Sequence, residues 1–170
     1  MEKNKINIYK KTRKDSGMTR DDVCDLVVKD GLGVMTPERL ERIENDKFPI
    51  TPEEVMLLSK VYRNPALCNQ YCSHECPIGQ HYVPEVTVKD VEKIILPLVA
   101  SLNTMKKSQE RLIEITADGV IDDEELKDFV KIQEELERIS VTIESLQLWT
   151  ETMIAEKRIN LEKYQELKGE

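Results

Sequence analysis

The chain has 170 residues, of which 34% are charged, 39% apolar and 5% aromatic; that balance favours long, exposed helices over an all-β sandwich or a thick core. Twenty-five lysines and arginines against 33 aspartates and glutamates leave a net charge of −8, which as an average disfavours nucleic acid, because phosphate binding needs positive surface. The longest apolar run, Ile94 to Ala100, is broken by Pro97 and falls well short of the about 20 residues that a membrane helix needs.

The basic start of the chain leads into no apolar stretch. It is therefore not read as a signal peptide, and a cytoplasmic protein with reduced cysteines is expected. Ile6, Ile8, Tyr9 and Thr12 open a first helix that ends near Ser16-Gly17. Thr19 is an N-cap, and Asp21 and Asp22 favour the positive end of the helix it starts. Val23, Leu26 and Val27 give that second helix an apolar stripe, and Gly31 and Gly33 end it. Thr36-Pro37 restarts the chain as N-cap and first helical residue, with Leu40 and Ile43 as the buried pair. Thr51-Pro52-Glu53-Glu54 repeats the signal for a fourth helix, and Ala66 to Cys76 suits a fifth.

The segment Pro77 to Pro84 is poor in helix formers and flanked by prolines, so it divides the chain into residues 1–80 and 81–170. The first part holds thirteen basic and thirteen acidic side chains, and the second twelve and twenty. The whole deficit therefore belongs to the second part. There, Val91, Leu98, Met105 and Leu112 recur every seven residues. Further on, Phe129, Leu136, Ile143 and Thr150 share one heptad position, and Ile132, Ile139, Leu146 and Met153 share another, which predicts a coiled-coil seam. Ala117-Asp118-Gly119 turns the chain between the two stretches, and Asp122 with Glu125 caps the next helix. Pro97 is expected to kink or restart the first arm. Ile159 and Asn160 suggest a second turn and a short last helix to Leu167.

Residues 8 to 63 carry a pattern with a known likeness. Arg13 to Gly17, Met18-Thr19-Arg20-Asp21-Asp22-Val23, Arg42-Ile43-Glu44-Asn45 and Thr51-Pro52-Glu53-Glu54-Val55 occur in an order and spacing that resembles the helix-turn-helix domain of the Xre/Cro-repressor family. The resemblance covers the first third of the chain. The connection from Val28 to Met35 is longer than the family's tight turn. The likeness implies an all-α fold: a five-helix Cro/repressor-like helix-turn-helix domain, followed by the long antiparallel helical hairpin that the heptads predict. It also implies a transcription regulator that binds double-stranded DNA, with the third helix in the major groove and the second helix and N-terminus on phosphates. Carried over by position, Arg20 stands at the head of helix two, and Thr36, Glu38, Arg39 and Arg42 stand on the exposed side of the reading helix. Arg39 and Arg42 are expected to donate to guanine edges or phosphates, and Lys10, Lys11, Arg13 and Lys14 to neutralise phosphates. Glu38 and Glu41 oppose phosphate, which keeps open a helix-turn-helix fold that binds protein instead. A homodimer through the C-terminal helices is expected, since one short helix reads few base pairs.

Cys68, Cys72 and Cys76 are spaced by four and line one side of a helix. Neighbouring members suit zinc or another thiolate-bound metal, although the first and last stand about 12 Å apart on a straight helix. Packing of small apolar thiols explains the same residues, and the reading requires no cofactor. Glu114 to Glu125 imitates the end of a calcium loop, with Gly119 and Glu125 in place but Glu114 and Thr116 where aspartates belong. A glycine turn and a capped helix account for it equally. No nucleophile–base pair, phosphate-cradling loop or paired carboxylate pocket stands out, so an enzyme is not expected.

Overall fold

The computed structural model describes residues 7–87 and 90–169; Ile6, read as part of the first helix, lies outside them. The described chain is all-helical and without strands. Its helices are α1 (Ile8–Asp15), α2 (Arg20–Lys29), α3 (Pro37–Glu44), α4 (Pro52–Val61), α5 (Ala66–His74), α6 (Gly79–Tyr82), α7 (Val91–Ile115), α8 (Leu126–Ala155) and α9 (Leu161–Lys168). None of them is long and apolar enough to cross a membrane.

Most helix starts are written in local chemistry. The Asn7 side chain accepts from the amides of Tyr9 and Lys10. Thr19 and Asp22, and again Thr51 and Glu54, bond reciprocally with each other's backbone in capping boxes. Thr36 accepts from the Arg39 amide ahead of Pro37. Asp122 accepts from the amides of Glu124 and Glu125 while the Asp122 amide donates to Glu125. Asn160 caps α9 through the Lys163 amide. Each such cap satisfies donors that the first turn leaves unpaired and contributes about 1 kcal/mol.

The chain divides into two compact units, Met1–Pro84 with Thr152–Glu170, and Glu85–Glu151. The first has a core built from one face of each front helix. Tyr9, Val23, Val27, Leu40, Ile43, Val55, Leu58 and Leu67 are among its buried side chains, and they occur at helical spacing. Between α2 and α3, Leu32 donates its amide to the Val27 carbonyl, Gly31 takes a left-handed turn, and Met35 returns to the core. The long connection is thus anchored at both ends.

Two local expectations change. The segment after Pro77 contains a turn of helix, α6, that lies against the end of α5. The Gln80 amide donates to the Cys76 carbonyl, and the Gln80 side chain donates to that of His74. Four residues carry no periodicity, so this turn had no sequence signal. Of the kink or restart expected at Pro97, the restart does not occur: Pro97 lies inside α7, and the helix runs on through it. Proline removes one ladder bond, to Lys93, while Ile94 before it and Ile115 at the far end of the helix are buried.

In the second unit, Arg111 of α7 donates to Asp128 of α8 at 3.0 Å. Ile94 and Ile115 of α7 and Ile132 and Ile139 of α8 are buried. The two heptad positions of α8 are not equivalent. Ile132 and Ile139 are 5% and 8% exposed, whereas Leu136 and Ile143 are 46% and 43% exposed.

Candidate functional site: the outer face of α3

Leu40, Ile43 and Glu44 fill the inner face of α3 and are buried together. A glutamate in that company is costly unless paired, and Glu44 is paired twice. Arg13 of α1 grips both of its oxygens, Nε to Oε1 at 2.5 Å and Nη2 to Oε2 at 3.0 Å, and Arg20 adds Nε to Oε2 at 3.0 Å. The Glu44 side chain is 0% exposed and that of Arg13 12%. Arg13 also donates to the Met18 carbonyl at 2.8 Å, bracing the α1–α2 turn. Burial pushes the Glu44 carboxyl up, but hydrogen bonds and charge from Arg13 and Arg20 outweigh it and hold the group below its ordinary range. Burial, then the Glu44 charge, pushes the neighbouring Tyr62 phenol up.

Arg39 is held from the other end of the helix. Its Nε and Nη2 meet the two Glu54 oxygens at 2.6 and 2.7 Å, and Nη2 also donates to the Pro49 carbonyl at 2.9 Å. Its guanidinium lies 5.3 Å from the Phe48 ring centre. Glu54 at the same time completes the capping box of α4, accepting from the Thr51 amide. Hydrogen bonding from Arg39 is the main cause that lowers the Glu54 carboxyl.

The residues assigned to phosphate and base contacts therefore fall into three groups. Arg13, Arg20 and Arg39 are engaged by carboxylates within the fold. Thr36 is a cap, and Lys10 donates through Nζ to Asn45 at 3.0 Å. Lys11, Lys14, Glu38 and Arg42 project into solvent, and none of the four makes an ion pair among the described residues. Glu38 and Glu41 line a cleft of about 420 Å³ with Met18, Arg20 and Asp21, whereas Lys10 overlies Asn45 beyond the last turn.

The Glu44 anchor was written in the sequence but not read there. It continues the Leu40–Ile43 stripe at the next buried position, and a charged residue in an apolar stripe is the mark of a buried pair. Its arginine partners lie 31 and 24 residues away, beyond the reach of any spacing rule.

Cys68, Cys72 and Cys76 are each partly buried, and Cys24 is buried in the core. The Gly79 amide donates to Cys76 Sγ at 3.4 Å. Burial, followed by the neighbouring Cys76 and Cys68, pushes the Cys72 thiol up. Among the described residues no group of three or more His, Cys, Asp or Glu is placed to hold a metal ion. In the calcium-like segment, the Asp118 and Asp122 carboxylates cap nearby backbone amides.

No protein-family model matches this chain, and no curated protein or solved structure matches it either.

Proposed function

We propose that the chain is a cytoplasmic, sequence-selective DNA-binding regulator of transcription. In this reading residues 1–80 act as a Cro/repressor-like helix-turn-helix domain, α3 enters the major groove, and α7 with α8 forms an antiparallel pair through which two copies associate. The observation that carries it is how α3 is held. Its inner face is buried, and Glu44 and Arg39 tie it to α1, α2 and α4. Its outer face is left to present Thr36, Glu38 and Arg42 on a fixed frame, as base recognition requires. Lys11 and Lys14 suit phosphate contacts.

The pairing of side chains changes which arginine should read bases. Arg42→Ala is expected to weaken binding to a selected duplex by about 1–2 kcal/mol and to relax preference at one position. Arg39→Ala is expected to cost about 1–2 kcal/mol of folding stability, with an unchanged base preference in the molecules that remain folded. Selection from a duplex library over a salt series, with denaturant titration of both variants, measures this. Log K that does not fall with log salt overturns phosphate binding.

A second reading, a helix-turn-helix fold that binds protein, is favoured by one observation: Asp21, Glu38 and Glu41 line the cleft beside α3 with Arg13 and Arg20, and both arginines are already engaged by Glu44, so the cleft disfavours phosphate. It predicts no enriched duplex and a partner whose binding is lost in Glu38→Lys.

A further inference from the structure

The apolar rows of α7 and α8 are wider than two helices can use. On α8 the exposed heptad row Leu136 and Ile143, with Phe129 and Thr150 at its ends, is followed four residues on by Gln133, Ser140 and Gln147. Together they form a stripe without a single charge on a helix that carries nine charged side chains. On α7 the row four residues after Val91, Leu98 and Met105 is Ile95, Leu102 and Gln109, again without charge, and Leu102 is half exposed.

The Arg111–Asp128 bond places these stripes relative to each other. Arg111 immediately precedes Leu112 of the α7 heptad row, and Asp128 immediately precedes Phe129 of the α8 row. In an antiparallel pair like rows lie alongside, so these preceding rows meet on one side. The two charge-free rows then lie together on the other side, as one uncharged face with the apolar Leu102, Leu136 and Ile143 at its middle.

We infer that this face is covered by the same face of a second copy of the chain, giving a four-helix dimer. The inference rests on the antiparallel pair and the dimer proposed above, and specifies where the copies meet. Three features favour a copy over another occupant. A face with no charge can meet itself without like-charge cost. Near the middle, the edge of the face carries Lys106 on the α7 side and Glu137 and Glu144 on the α8 side, so α8 laid over the partner's α7 brings opposite charges together. From Phe129 to Thr150 the stripe runs roughly 30 Å, and two helices are about 20 Å wide. The α7 stripe, Ile95 to Gln109, runs about 21 Å, so such a face covers on the order of 500 Å² per protomer, at the small end of the scale of specific interfaces. A folded two-helix unit alone would leave it in water, at about 25 cal/mol per Å².

The test is the mass of the full chain by light scattering at about 100 µM, a concentration that populates any dimer with Kd below that value. Twice 19.7 kDa is expected. Leu136→Glu and, on the other helix, Leu102→Glu are each expected to raise the dimer Kd about 100-fold or more, because each introduces two buried carboxylates per dimer. Leu96→Glu, at an exposed apolar site off the face, is expected to leave it unchanged. Ile143→Gln guards against misfolding, since glutamine is the better helix former; it should weaken the dimer at unchanged helicity by circular dichroism. A wild-type mass of 19.7 kDa at that concentration overturns both the dimer and this face. A dimer that survives Leu136→Glu and Leu102→Glu overturns this face alone. Loss of duplex binding with the dimer intact would strike the DNA reading and leave the face standing.

Discussion

Glu44→Ala is expected to destabilise the front unit by about 3–5 kcal/mol, a large share of the about 5–15 kcal/mol that a domain possesses. The substitution removes little apolar contact. Its cost comes from Arg13 and Arg20, which lose their shared carboxylate while Arg13 stays largely buried. Arg20→Ala should cost less, about 1–2 kcal/mol, because Arg20 is more exposed and Arg13 still neutralises Glu44. Urea denaturation followed by circular dichroism measures both. A loss below about 1 kcal/mol for Glu44→Ala would mean that the arginines find water without unfolding. The same pair predicts a pH response. Glu44 and Glu54 have folded pKa values held below the ordinary 4.5. Their contribution is therefore complete above that value and is lost as the pH falls through the lowered ones, where the unfolded chain binds protons first. The denaturation midpoint should hold steady above about pH 5 and fall below about pH 4, with a shallower fall in Glu44→Gln.

Gly79→Ala should cost about 3 kcal/mol, the upper end of the range for overpacking. A Cβ at Gly79 would press into the main-chain carbonyl of Cys72. Backbone cannot swing aside as a long side chain can, so α6 must lift from the end of α5. The bond from the Gly79 amide to Cys76 Sγ would be lost with it. Gly17 gives the contrast. Nothing lies within 4 Å of a Cβ there, but its φ of +68° is left-handed, so alanine costs about 1 kcal/mol through backbone strain alone. Thermal unfolding separates the two variants, and the rate at which Cys76 reacts with a thiol reagent should rise in Gly79→Ala only. An unchanged rate would mean that α6 accommodates the methyl without moving.

The starts of α2, α3, α4 and α9 were legible because capping is local. Thr19 with Asp22, Thr36 with Pro37, Thr51 with Glu54, and Asn160 complete their bonds within three residues. The heptads of α7 and α8 were legible because seven-residue spacing repeats often enough to outweigh one proline. The inequality of the two α8 rows was not. Both are apolar, and only the folded chain distinguishes Leu136 and Ile143, which stay open, from Ile132 and Ile139, which are buried. At the outer face of α3, sequence position assigned Arg13, Arg20, Arg39 and Arg42 similar tasks. Distances in the fold separate them, because Glu44 and Glu54 come within hydrogen-bonding reach of the first three.

By itself, then, the sequence determined that this protein is helical, where most of its helices begin, and that the charge deficit belongs to its back half. Those properties depend on neighbours within one or two turns and on composition. Tertiary structure decided which cations remain free to meet a partner, where the apolar surface stays uncovered, and that a four-residue helix forms after Pro77. Each of these depends on separation through space. Coulomb attraction, desolvation and close backbone approach act over a few ångströms, whatever the number of residues between the groups.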